Sequence, residues 1–579
     1  MSQPNGKETQ KALVPIRAMF DIRMPMRDGI TLSADVVLPE PAGQYPTILI
    51  RTPYLKNRTP WLDGSIPGAK DTFVHFLAAN GYAVVMQDVR GRGDSEGTFQ
   101  FYWADAEDGY DSIEWLAQQP WSTGRVGMMG PSYLGGVQWL AASQKPPHLK
   151  CLVSTAASGL YMEEAPYTGG AWNMLFGLLW LNGQSGKISQ DTTALFVDLA
   201  KVYAHRPLIT QDEAMGRHIP LFRKSLENST LNEEWRKITL CEDDYKAIDL
   251  PVLHISGWFD GDQPGAMHHW SHMKNVSPAR DRQYIVIGPW EHVQTFYGGA
   301  TAVGEMTFGE DSIIDQFGLH KRFFDRYLKQ STDEFEHPTA RVYVTGLNKW
   351  RDYDQYPPSG LTAKRLYLHS GGNANTLNGD GRLSLEAPGK EPADRYVYDP
   401  KDPAPSQFGT PESPTGGFSG ADLQHVERRS DVLVYTSDIL ETDMEVYGPV
   451  KVELFAASDA LDTDWVVRIQ DVFPNGKSVN LGPRINGAVL RARYRKGYDQ
   501  EVLLTPGQPE KYCINLYHIG HAFLKGHRIR LHITSSSYPA IAPNQNTGNP
   551  VATDTQWRTA NQTVYHDAAC PSAVILPMK

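Results

Sequence analysis

Between residues 20 and 38, apolar and polar side chains alternate in two short runs separated by Asp28-Gly29. A period of two buries one face of a strand and exposes the other, and Asp-Gly between two such runs marks a hairpin. The pattern then changes. Residues 46–51, 82–89 and 151–154 are continuous apolar runs, as expected of strands covered on both faces of a parallel sheet. Residues 73–78 and 105–119 carry helical periodicity between them. Strands alternating with helices predict an α/β domain. From about 160 to 245 the chain is helical and aromatic, with no convincing strand, and reads as a helical insertion capping the sheet. Apolar strands return at 251–258 and 283–288, and a helix at 317–328 closes this part. Beyond about residue 355 helical periodicity disappears. Short alternating runs at 365–368, 450–455, 465–469 and 528–533 are separated by Pro, Gly and Asp turns, which predicts a β-sandwich or jelly roll. The expected organisation is an α/β core in two parts (1–155 and 246–354), a cap inserted at 156–245, and a C-terminal jelly-roll β domain at 355–579.

Composition narrows the function. A chain of 579 residues is too long for one core. A net charge of -11 with no basic block excludes nucleic acid as a partner. The four cysteines lack C-x-x-C spacing, so neither a disulfide scaffold nor a zinc knuckle is expected. The polar stretch Met1-Ser2-Gln3-Pro4-Asn5-Gly6-Lys7-Glu8 has no apolar core of a signal peptide, and no run is long enough to span a membrane. A cytoplasmic protein without a membrane partner is expected.

The candidate chemistry centres on Gly130-Pro131-Ser132-Tyr133-Leu134-Gly135, between an apolar run and a helical pattern at 137–142. A serine on a tight turn between strand and helix has its hydroxyl exposed at the sheet edge, with a helix N-terminus behind it to favour negative charge. The strict G-x-S-x-G pattern asks for glycine where Leu134 stands. An activated serine needs a base and an acid that orients the base. In α/β-hydrolases these follow in the order serine, acid, histidine, each after a strand. Ser132, Asp260 after 251–258, and His292 after 283–288 fit that order. The oxyanion donors expected are the backbone N–H of Tyr133 and a group from the Thr52-Pro53-Tyr54 loop, Tyr54 itself being the candidate. Two segments invite other readings. Residues 90–97 follow a strand, but their glycine spacing is not a dinucleotide fingerprint, and Arg92-Gly93-Asp94 reads as a rigid turn bordering the site. His268 and His272 stand at i, i+4, yet no H-E-x-x-H and no third ligand accompany them, so neither metal nor cofactor is expected.

Together with residues 88–97, Gly257-Trp258-Phe259-Asp260 and Gly288-Pro289-Trp290-Glu291-His292, the serine motif resembles the cocaine esterase family. That family also holds α-amino-acid ester hydrolases, glutaryl-cephalosporin acylases and, more distantly, X-Pro dipeptidyl peptidases. The resemblance covers nearly the whole chain. It implies an α/β-hydrolase core, a helical cap and a jelly roll, tolerates Leu134, and implies that Tyr54 offers its hydroxyl to the oxyanion. The expected activity is that of a serine hydrolase cleaving small-molecule esters, or activated amides, through an acyl-enzyme. Acyl transfer, dipeptidyl-peptidase-like amide cleavage, and a jelly-roll carbohydrate-binding protein with a vestigial triad stand as alternatives. α-Amino-acid ester hydrolases hold a substrate ammonium with carboxylates. Here Asp262 is present, Gln263 stands where a second acid is expected, and Glu163-Glu164 could supply others. Trp172 and Trp180 could instead wall an apolar acyl pocket. A homo-oligomer is compatible with all of this.

Overall fold

Seven parallel strands, extended by antiparallel strands at both edges, form the ten-stranded sheet on which the N-terminal part of the chain is built. The computed structural model describes residues 15–57, 72–190, 198–332, 334–406, 420, 422–482 and 487–579. The hairpin of β1 (Ile16–Pro25) and β2 (Thr31–Pro39) turns through Gly29 at φ 90°, the left-handed conformation that glycine adopts without strain. β3 (Tyr45–Thr52), β4 (Ala83–Asp88), β5 (Ser122–Pro131) and β6 (Leu149–Thr155) follow. All four are almost entirely buried at their apolar positions because helices cover both faces.

The segment expected to cap the sheet begins after β6. It is mostly helical, but β7 (Tyr167–Thr168) and β8 (Ala171–Trp172) form a two-residue hairpin, which corrects the expectation of no strand there. Two residues per strand are too few to give a periodicity. Gly169 and Gly170 make the turn at positive φ, and a Cβ on Gly169 would lie 1.7 Å from the Val489 carbonyl oxygen. The hairpin is therefore seated on the C-terminal domain.

The sheet resumes with β9 (Val252–Gly257) and β10 (Gln283–Gly288). After the small hairpin of β11 (Ala302–Val303) and β12 (Met306–Thr307), it ends with β13 (Ala340–Val344) and β14 (Lys349–Tyr353). Strand order is β1-β2-β4-β3-β5-β6-β9-β10-β13-β14. In such a sheet all parallel strands end on one rim, so residues just past β3, β5, β9 and β10 converge although they are far apart in sequence.

The C-terminal domain is β-rich, as its alternation predicts. Its connected strands are antiparallel except for one parallel pair, Arg382–Ser384 with Leu433–Ser437. The strand Asp394–Tyr398 alternates buried and exposed side chains at every position. The domain packs tightly on the ten-stranded sheet domain. Thr345 exchanges backbone hydrogen bonds of 3.0 and 2.8 Å with Gly520 and Ala522, and one apolar cluster joins Trp258, Ile285 and Val342 to Val446, Leu516 and Ile519. No cysteine is paired, and among the described residues no helix is long and apolar enough to cross a membrane.

Candidate active site

Ser132 occupies the turn between β5 and the helix Tyr133–Ser143 with φ 60° and ψ -127°, a conformation a side chain-bearing residue adopts only when its surroundings enforce it. The enforcement is visible. Ser132 N–H donates to the Thr155 carbonyl at 3.0 Å, and the Ser132 carbonyl accepts from Gly135 and Gly136 at 2.8 and 3.0 Å. A Cβ on Gly130 would lie 2.5 Å from Leu134 Cβ, and one on Gly135 would lie 2.8 Å from the Thr155 carbonyl oxygen. Glycine is thus required at 130 and 135. Position 134 points into the core, where a leucine fits because residue 130 has no side chain.

His292 lies in the loop after β10, at the start of a short turn of helix, Val293–Phe296. Its Nε2 is 2.9 Å from Ser132 Oγ and its Nδ1 is 2.7 Å from Asp260 Oδ1. A carboxylate only accepts, so Nδ1 carries the hydrogen and Nε2 is left to accept from the serine hydroxyl. Asp260 is fully buried, and the same Oδ1 also accepts the Asp262 N–H at 2.9 Å, which fixes the carboxylate's orientation. The Phe296 ring stands edge-on to the imidazole, 5.1 Å between centroids.

The two tyrosines named as oxyanion donors flank the serine. Tyr133 opens the elbow helix, where the first N–H groups have no acceptor within the helix. Its phenol points the other way, donating to Asp105 Oδ2 at 2.5 Å, while its ring stacks on Tyr102 at 4.2 Å. The half-buried Tyr54 hydroxyl accepts from Trp180 Nε1 at 3.1 Å. Burial raises this phenol above its ordinary range, against the opposing hydrogen bonds of Trp180 and Ser132. Of the two cap tryptophans, Trp180 therefore reaches the site, with its ring also stacked over Tyr133 at 5.9 Å. Trp172 is completely buried against Tyr167 and Phe222.

The acidic candidates divide in the same way. Asp262 Oδ2 is 3.8 Å from His292 Nε2. Glu164 is buried, with both oxygens engaged by backbone: Oε1 accepts from Gly159 and from Leu160 at 2.6 Å, and Oε2 from Gly265 at 2.9 Å. It ties the start of the cap to the helix after the acid loop. Burial and the nearby Asp262 hold its carboxyl well above the usual range. Among the described residues, Asp260, Asp262 and His292 are the one group whose ligand atoms converge as a metal site would require, within 4.8 Å. Both His292 ring nitrogens already face Asp260 and Ser132. Of the histidines on the helix Gln263–Val276, His268 keeps its buried Nε2 without a hydrogen-bond partner among the described residues, and the other two are engaged. His269 lies between Tyr245 Oη at 2.7 Å and the Ser158 carbonyl at 3.1 Å, and His272 Nδ1 meets the His268 carbonyl at 2.9 Å.

Residues 90–97 border the site as a braced loop. The Arg92 guanidinium is fully buried and pairs with no carboxylate among the described residues. It donates to the Pro53 carbonyl at 2.6 Å, the Gln184 carbonyl at 2.7 Å, Gln184 Oε1 at 2.8 Å, Ser189 Oγ at 2.9 Å and the Gly186 carbonyl. Burial lowers it to about 10. Arg92 thereby joins the Tyr54 loop to the cap. Sequence reading marked the loop but not this side chain's role, and Asp105 was missed. An acid at the start of a helix reads as an ordinary first-turn charge. Only its burial under Tyr133 sets it apart.

The strand order, the strained serine turn and the rim loops are those of an α/β-hydrolase. Residues 28–294 match the X-Pro dipeptidyl-peptidase (S15 family), and residues 334–575 match the X-Pro dipeptidyl-peptidase C-terminal non-catalytic domain. The cocaine esterase of Rhodococcus sp. (strain MB1 Bresler) is 33% identical over 96% of this chain and 98% of its own. An α-amino acid ester hydrolase has a structure that superposes with a TM-score of 0.85 at 27% identity, covering both chains completely. An aminopeptidase from a marine sediment Thaumarchaeota archaeon superposes with a TM-score of 0.84 at 26% identity, over 100% of this chain and 99% of its own. The chain belongs to the S15 family of α/β-hydrolases that includes cocaine esterase, and it is a hydrolase. The carbohydrate-binding alternative finds no support among these relatives.

Proposed function

We propose that the protein hydrolyses carboxylic esters of small molecules through an acyl-enzyme on Ser132. His292 Nε2 takes the serine proton as Oγ attacks the ester carbonyl. Asp260 holds the imidazole in the required tautomer and balances the cation that forms. Tyr133 N–H and the Tyr54 hydroxyl receive the oxyanion, each donor contributing about 3–4 kcal/mol to the transition state. Collapse expels the alcohol, protonated by His292, and a water activated by the same histidine then releases the acid. The observation that carries this reading is the continuous Asp260–His292–Ser132 chain of 2.7 and 2.9 Å ending on a serine at φ 60°.

Half-buried aromatic rings, Trp180 beside Tyr54 and Phe296 beside His292, favour an apolar or aromatic acyl group. A second reading, recognition of an α-amino ester, is favoured by Asp262 near His292 Nε2. It gains less from Glu164, whose oxygens already serve backbone N–H groups. Turnover of p-nitrophenyl acetate, butyrate and benzoate beside a phenylglycine methyl ester separates the two. Higher kcat/KM on the simple and aromatic acyl groups is expected, and clear preference for the amino ester would move Asp262 into the substrate site. Ser132→Ala is expected to abolish covalent labelling by a fluorophosphonate. Labelling that survives would refute the nucleophile assignment.

A further inference from the structure

We infer that Asp105 is a positioning residue, its carboxyl group bracing from beneath the two strands that deliver the oxyanion donors Tyr54 and Tyr133. This rests on the proposed role of those tyrosines. β3 and β5 are neighbours, but their pairing stops at Leu49 opposite Met128. Beyond that point Ile50, Arg51 and Thr52 pair with β4, while Met129, Gly130 and Pro131 pair with β6. The strands therefore part before the rim, and no β3–β5 ladder bond fixes the distance between the loops that carry Tyr54 and Ser132-Tyr133.

Three buried side chains cross that gap. Arg51, three residues before Tyr54, places Nη1 3.0 Å from Asp105 Oδ1 and donates to the Asp105 carbonyl at 2.9 Å. Asp105 Oδ2 accepts the Tyr133 hydroxyl at 2.5 Å. One carboxyl group thus turns one oxygen to the Arg51 guanidinium as an ion pair and hydrogen-bonds Tyr133 with the other. Arg51 is steadied by Gln87 at 2.8 Å, and Arg90 takes the neighbouring Asp108 at 2.6 and 3.0 Å, so Asp108 reaches Arg51 only at 4.0 Å while Asp105 lies at 3.0 Å. The helix Asp105–Ala117 lies close against the elbow helix, since a Cβ on Gly109 would be 2.6 Å from Ala141 Cβ. Burial, opposed by Arg51, raises Asp105 to about 6. A carboxyl group retained in so costly a place has a geometric task.

The test uses the full chain and the variants Asp105→Asn, Tyr133→Phe and their combination. kcat and KM for p-nitrophenyl butyrate are measured per active site titrated with fluorophosphonate, beside the melting midpoint. Each single variant is expected to lose about tenfold in kcat, less than deletion of an oxyanion donor, with KM unchanged. The double variant should be no slower than the slower single, because both remove one brace. A wild-type kcat per titrated site in Tyr133→Phe, or losses that multiply in the double variant, would overturn the inference. Should Asp105→Asn fail to fold, Tyr133→Phe decides alone, since its ring keeps the stacking on Tyr102 and loses only the hydroxyl. Turnover persisting in Ser132→Ala would overturn the underlying site assignment. Loss there with unchanged Tyr133→Phe would overturn the brace alone.

Discussion

Two histidine–aspartate pairs, one in each half of the molecule, have nearly the same geometry. In the hydrolase core His292 Nδ1 lies 2.7 Å from Asp260, and in the β domain His566 Nε2 lies 2.9 Å from Asp394. A serine stands beside each, with Ser370 Oγ 3.2 Å from His566 Nε2. The difference lies in what the remaining nitrogen meets. The second nitrogen of His292 lies 2.9 Å from the Ser132 hydroxyl, with the Asp262 carboxylate farther off at 3.8 Å, and a third of the side chain's surface remains exposed. His566 is wholly buried, and its Nδ1 meets a second carboxylate, Glu391, at 3.1 Å. Ser370 Oγ meanwhile donates to Asp394. Burial opposes a charge on His566, but the bonds to Asp394 and Glu391 outweigh it and raise the imidazole above its ordinary range. Asp394 is correspondingly held low against its own burial. Full burial and a second carboxylate at hydrogen-bond distance commit both nitrogens of His566 to acids and favour its charged form, so proximity of serine, histidine and acid does not by itself make a nucleophile.

The largest effect that could break this contrast is expected at Asp260. Asp260→Asn should lower kcat by about 10⁴, because an amide can present the wrong tautomer partner to His292. A modest loss in steady-state turnover would mean the acid does not orient the base. Next comes Tyr54→Phe, with an expected fall of about 10² in kcat and little change in melting midpoint. Normal turnover would remove the hydroxyl from the oxyanion site. The smallest effect on catalysis is expected at His566. His566→Gln should leave kcat unchanged while costing on the order of 3 kcal/mol of stability, since the buried Asp394 and the half-buried Glu391 lose their partner. Because His566 is raised on folding, its contribution is fully present below the unfolded pKa of about 6.5 and is lost as pH rises through the folded value. Denaturation at pH 6 and pH 9 should therefore show a gap between wild type and variant that narrows with pH. A gap that widens would reverse the assigned charge.

Much of this was legible in sequence because strands announce themselves locally. The apolar runs near 46–51, 126–131, 252–257 and 283–288 are strands of the sheet, and Ser132, Asp260 and His292 lie just past three of them. The parallel topology does the rest, since it brings the strand ends to one rim. What was not legible depends on partners far away in the chain. Nothing near Arg92 signals Gln184 or Ser189, and nothing near Asp105 signals a tyrosine 28 positions later. Trp172 and Trp180 share one aromatic stretch. Which of them faces Tyr54 is set by the β7–β8 hairpin and the irregular turn Leu175–Trp180, neither of which carries a readable periodicity.

Arg92 has a consequence for recombining such enzymes. Its five hydrogen-bond acceptors belong to Pro53 on one side and to Gln184, Gly186 and Ser189 on the other. The segment that carries Gln184, Gly186 and Ser189 and the loop carrying Tyr54 are consequently inherited as one module. A chimaera that imports a relative's segment here to change substrate range must import a matching partner for this arginine, or it will alter reactivity while intending to alter selectivity.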